Sequence, residues 1–66
     1  MPVIKVIEVM ATSSKGWEDA AKNAVMHAAK TVKNIKSVYI KDQSARVQGE
    51  NLTEYRVNVK ISFEVS

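Results

Sequence analysis

The stretch Thr12–Val32, TSSKGWEDAAKNAVMHAAKTV, is the only part of the chain with a helical rhythm, and its reading decides the fold. Trp17, Ala20, Ala21, Ala24, Val25, Ala28 and Val32 recur at spacings of one, three and four, which puts them on one face of an α-helix. Lys15, Glu18, Asp19, Lys22, Asn23, Lys30 and Lys33 fall mostly on the other face. A short hydroxyl can accept from the free N–H groups of a first helical turn, so Ser13 or Ser14 is the expected N-cap. Glu18 and Asp19 come early and Lys30 and Lys33 late, each at the dipole end that favours its charge. Lys33–Asn34 is the expected helix end, because asparagine tolerates the left-handed conformation that closes many helices. A face built mainly of alanine is smooth, so a sheet can lie close against it, with Trp17 the one large group at its start.

Working outward, Pro2–Ala11 has the composition of a strand. Val3, Ile4, Val6, Ile7, Val9 and Met10 are mostly β-branched, and only Lys5 and Glu8 interrupt them. Apolar groups on both faces predict cover on two sides or a place inside an assembly. Ile35–Gln48 predicts a long second strand, with Ser37, Tyr39, Lys41, Gln43, Ala45 and Val47 on one side and Val38, Ile40, Asp42, Ser44 and Arg46 on the other. Gly49-Glu50-Asn51 is the expected turn. Leu52–Ser66 is the clearest strand: Tyr55, Val57, Val59, Ile61, Phe63 and Val65 alternate without a break against Glu54, Arg56, Asn58, Lys60, Ser62 and Glu64. The expected class is therefore α+β. It is one domain over residues 1–66 with β-α-β-β order, whose last two strands pair as an antiparallel hairpin and whose first strand joins the same sheet.

Sixty-six residues form a marginal core alone, and small folds gain stability from disulfides, a metal or oligomerisation. There is no cysteine, and one histidine cannot make a structural zinc site, so self-association is the expected route. The net charge of +3 is spread along the chain, which suits an anionic ligand without pointing to nucleic acid. No apolar run nears the roughly 20 residues of a membrane span, and the start lacks a signal-peptide pattern. A soluble cytoplasmic protein without a membrane partner is the expectation.

No catalytic constellation is present in the sequence, so the chain does not read as an enzyme. His27 has no local acid partner and is expected to pack or face solvent. Gly16 and Gly49 are the only glycines, which excludes a glycine-rich phosphate loop. Glu8, Asp42, Glu50 and Glu54 lack calcium-loop spacing and read as solvated charges, though an assembly could gather them across a symmetry axis. Lys30, Lys33, Lys36 and Lys41, with Tyr39 as a stacking ring, form a weak single-strand nucleic-acid signature, which leaves a basic βαββ nucleic-acid module as an alternative. Trp17, on the alanine face, is expected in a core or interface rather than on a ligand.

Three colinear segments, VIKVIEVMATSSKGWEDAAKNAV from Val3, TVKNIKSVYIKDQ from Thr31 and TEYRVNVKISFEV from Thr53, closely resemble dodecins. The resemblance covers nearly the whole chain. It implies a three-stranded antiparallel sheet wrapped around one helix, and a hollow homododecameric shell that holds a flavin of the riboflavin or FMN type without catalysis. In that family a tryptophan of the second strand stacks on the flavin and a glutamine of the third strand hydrogen-bonds to it. The aligned positions here are Ser37 and Arg56, and Asp42 matches an acidic residue that follows the tryptophan. Trp17 together with Arg56 is closer to a divergent branch that includes a calcium-binding member. The resemblance thus nominates Ser37, Tyr39, Asp42 and Arg56 as ligand-site residues. Flavin is the leading ligand, with calcium or an anionic metabolite as the alternative. Arg56 offers a planar donor fork suited to phosphate or carboxylate, and Tyr39, two residues from Ser37, is a candidate substitute ring.

Overall fold

The computed structural model describes residues 3–65, so the expected strand termini at Pro2 and Ser66 lie outside the described residues. The elements run β1 (Val3–Ser13), α1 (Trp17–Ala28), β2 (Ile35–Gln48) and β3 (Asn51–Val65), as the patterns predict. All three strands form one antiparallel sheet in the order β1-β3-β2. β3, the strand with the unbroken alternation, is the central one. Its apolar side carries Val57, Val59 and Ile61, which are buried against Ala20, Ala21, Ala24 and Ala28 of the helix. Ile7, Val9, Ala11, Trp17, Val25 and Ile35 border this core. The alanines have the effect their size predicts: without bulk between the layers, helix and sheet meet closely.

The helix is shorter than the pattern suggests. Its N-cap is Gly16, not Ser13 or Ser14, and no side chain caps it. Ser13 is instead the last residue of β1. Its Oγ accepts from the Lys15 N–H at 2.9 Å and donates to Asp19 Oδ2 at 2.6 Å, so it braces the turn between strand and helix. At the other end the chain tightens after Ala28 through Thr31 N–H to Ala28 O (3.0 Å) and Lys30 N–H to His27 O (3.2 Å). β-Branched Thr31 and Val32 favour leaving the helix there. Asn34 then takes the left-handed conformation, at φ 62°, and its carbonyl accepts from Glu64 N–H at 3.0 Å. The reversal expected at Asn34 is present, but six residues beyond the helix proper.

The two-sidedness of β2 departs from strict alternation. Tyr39 pairs with Lys60 and Ile40 with Val59, but the next pair is Asp42 with Asn58. Lys41 is the extra residue of a β-bulge, and a bulge reverses the sense of alternation beyond it. Ser37, Tyr39, Asp42, Ser44 and Arg46 therefore share the helix-free face, whereas Val38, Ile40, Gln43 and Ala45 share the helix side. This corrects the simple division read from the sequence. Two further shifts fall between Ile35 and Ser37 and between Arg46 and Val47. The hairpin closes through Gly49–Glu50 with Gln48 paired to Asn51, so Asn51 belongs to β3 and the loop has two residues. Gly49 has φ 65° and Glu50 does not share the positive φ, the pattern of a type II′ hairpin turn.

Candidate functional site

The helix-free face of the sheet is a polar field with one apolar edge. β3 contributes Glu54, Arg56, Asn58, Lys60, Ser62 and Glu64; β2 adds Ser37, Tyr39, Asp42, Ser44 and Arg46; and β1 adds Ile4, Val6, Glu8, Met10 and Thr12. The pairing explains each placement, since residues directly opposite in an antiparallel ladder point to the same face. Lys41 reaches across β3 to Glu8, Nζ to Oε2 at 3.4 Å. Lys41 is thus tied over the helix-free face and does not extend a basic patch with Lys30 and Lys33 at the helix end. His27 is exposed.

At the middle of this face lies a hollow of about 60 Å³ lined by Met10, Asp42, Ser44, Arg56, Val57 and Asn58. Two of the four nominated residues, Asp42 and Arg56, meet here. The bulge at Lys41 is what turns Asp42 toward it. Arg56 Nε is shut off from solvent and has no hydrogen-bond partner; the nearest carboxylate oxygen, Glu54 Oε1, is 3.7 Å away. A buried donor without an acceptor is costly, and here it borders an open hollow. Met10, Ser44 and Asn58 were not singled out from the sequence. Asn58 was legible as a polar-face residue of β3, but Met10 and Ser44 come to the hollow only through pairing across the sheet.

Ser37 and Tyr39 sit elsewhere. Ser37 is opposite Ser62, to whose hydroxyl it is hydrogen-bonded, and Tyr39 is opposite Lys60 and 65% exposed. Along β3 the Ser62 level lies six positions from Arg56, about 20 Å at the usual rise of a strand. No single ring system spans Ser37 and Arg56 within one chain. Trp17 is on the other side of the sheet: its Nε1–H donates to Ser44 O at 2.8 Å and its ring meets Tyr55 edge-on at 5.0 Å. Among the described residues no three His, Asp or Glu side chains converge as a metal site, so Glu8, Asp42, Glu50 and Glu54 do not gather into one within the chain. No helix among the described residues is long and apolar enough to cross a membrane.

A strand–helix–strand–strand unit with its polar site on the helix-free face of an open antiparallel sheet is the protomer type of a known family. A family model described as Dodecin matches residues 3–66. The calcium dodecin of Mycobacterium tuberculosis is 34% identical over 65 residues, covering 98% of this chain and 92% of that protein. The chain belongs to the dodecin family. Its backbone superposes on a crystal structure of a point variant of the T. thermophilus dodecin with a TM-score of 0.92, at 26% identity and covering 100% and 98% of the two chains. The crystal structure of the M. tuberculosis calcium dodecin, a protein described there as calcium chelating, gives a TM-score of 0.81 at 33% identity, covering 97% and 91%.

Proposed function

We propose that this chain is the repeating unit of a non-enzymatic, homododecameric shell that stores or sequesters a small ligand on the helix-free face of its sheet. The observation that carries this reading is the hollow, lined by both Asp42 and Arg56, at which Arg56 Nε lies buried without a hydrogen-bond partner. A guanidinium next to a carboxylate suits a ligand that presents an anionic or carbonyl oxygen to Arg56 and a donor to Asp42. A flavin, the family ligand, has both kinds of group on its ring edge. The stacking platform is absent at Ser37, so binding rests on polar contacts and on Tyr39 supplied by a neighbouring copy.

Self-association is supported by the shape of the chain. Its surface of 5001 Å² exceeds the value of about 4,200 Å² expected of a compact 7.3 kDa monomer. Val3, Ile4, Val6, Met10, Val38 and Ile40 are exposed. The deciding experiment records the mass of the purified protein by light scattering and then titrates it into riboflavin or FMN while following flavin fluorescence. A multimeric mass with saturable quenching supports the proposal, and quenching weakened at least tenfold in Arg56→Ala assigns the hollow. Unchanged flavin emission at micromolar protein removes flavin as the ligand.

Calcium is the second reading, favoured by the likeness to a protein named calcium dodecin. Calcium takes six to eight oxygens, so Asp42 and Glu54 would need ligands from a second copy. Calorimetric titration with calcium separates the two readings: heat with calcium and none with flavin selects the cation.

A further inference from the structure

The helix-free face sets charges of opposite sign against each other across its strands: Lys41 reaches Glu8, and Arg46 stands opposite Glu54. Asp42 and Arg56 are placed differently. Asp42 is opposite Asn58 and Arg56 is opposite Ser44, so the two charges are diagonal neighbours, with backbones about 7–8 Å apart. Both line the hollow, yet they form no ion pair with each other, and among the described residues Asp42 has no ion-pair partner. Arg56 Nε is buried without a hydrogen-bond partner, with Glu54 Oε1 3.7 Å from it. A cation and an anion thus border one small space, and neither satisfies the other. That space is about 60 Å³, against roughly 300–1,000 Å³ for pockets that enclose a drug-sized ligand. It admits the head of a small molecule, while a ring system as large as a flavin can only lie across its mouth.

We infer that the hollow takes a small zwitterion, an α-amino acid with a short side chain, its carboxylate on Arg56 and its ammonium group on Asp42. This rests on the ligand-storing reading above and names the ligand class of that same site. The charges select it. A simple anion in the hollow gains Arg56 but meets the negative Asp42, and a simple cation gains Asp42 but meets Arg56. A ligand that carries both charges keeps both contacts favourable. The donors and acceptors agree: a guanidinium offers a planar fork to a carboxylate, and an ionised carboxyl only accepts, which suits an ammonium group. Ser44 and Asn58, the direct partners of Arg56 and Asp42 in the ladder, each donate and accept, so they serve either end. Met10 supplies the apolar wall for a short side chain.

The test titrates the wild-type protein calorimetrically with L-alanine and, at matched ionic strength, with acetate and with ethylammonium, which carry one charge each. Alanine should give saturable heat and bind about tenfold tighter than either single-charge probe. Arg56→Gln and Asp42→Asn should each weaken alanine about tenfold, at unchanged particle mass and far-ultraviolet circular dichroism. Saturable alanine heat that disappears in both variants supports the inference whether or not flavin binds. Acetate or ethylammonium binding as tightly as alanine overturns it, as does alanine binding that ignores either substitution. The wild-type comparison of the three probes stands even where a substitution disturbs the fold. No heat with alanine, together with flavin quenching that depends on Arg56, overturns the zwitterion and leaves the ligand-storing reading standing. No signal from alanine, flavin or calcium overturns both.

Discussion

Trp17 and Ser44 are joined across the open end of the fold: the indole N–H of the first helical residue donates to the Ser44 carbonyl of β2 at 2.8 Å. The same ring meets Tyr55 of β3 edge-on, with planes at 80°. The helix otherwise lies over β1 and β3, so this tryptophan is its anchor on β2. Trp17→Phe keeps most of the ring contact and removes the donor. It should lower stability by about 1 kcal/mol, read as a lower urea midpoint at unchanged slope.

The alanine face sets the distance between the layers. Ala24 is 1% exposed, against the buried valines and isoleucine of β3. Ala24→Leu has better burial in principle but nowhere to put the added atoms. It should cost about 1–3 kcal/mol, visible in thermal unfolding, whereas Ala24→Gly should cost less than the larger residue and act through helix propensity.

Asn34 turns the chain from the helix into β2 at φ 62°. Asn34→Gly should leave stability within a few tenths of a kcal/mol, while Asn34→Val should lose about 1–2 kcal/mol because a branched Cβ crowds the left-handed conformation. Chemical unfolding of the three proteins side by side checks the order.

The bulge at Lys41 can be tested by deletion. Without it, either Val38 and Ile40 or Asp42, Ser44 and Arg46 must change faces. The deletion variant should lose cooperative unfolding, whereas Lys41→Ala should lose only the exposed pair with Glu8, at most about 1 kcal/mol. A deletion variant that unfolds cooperatively near the wild-type midpoint would refute the role given to the bulge.

The flavin proposal predicts a gain. Ser37→Trp with Arg56→Gln restores the two family contacts, and stacking alone is worth about 0.5–1.5 kcal/mol beyond area. Flavin affinity should rise about tenfold in fluorescence titration. The two sites are far apart in one chain, so the gain should disappear on dilution to protomers.

The order of elements, the unbroken alternation of β3 and the alanine face were legible in the sequence alone. Each is a local, periodic signal: side chains repeat at two or near 3.6 residues whatever their partners. The ends of the helix were less legible, because Ser13 had two uses for its hydroxyl and only the turn geometry chose between them. What the tertiary structure decided was the pairing. It set β1 beside β3, placed Met10 and Ser44 with Arg56, and let one extra residue at Lys41 turn Asp42 to the helix-free face. Such placements depend on hydrogen-bond register between strands distant in the chain, and a register has no signature in the spacing of a single strand.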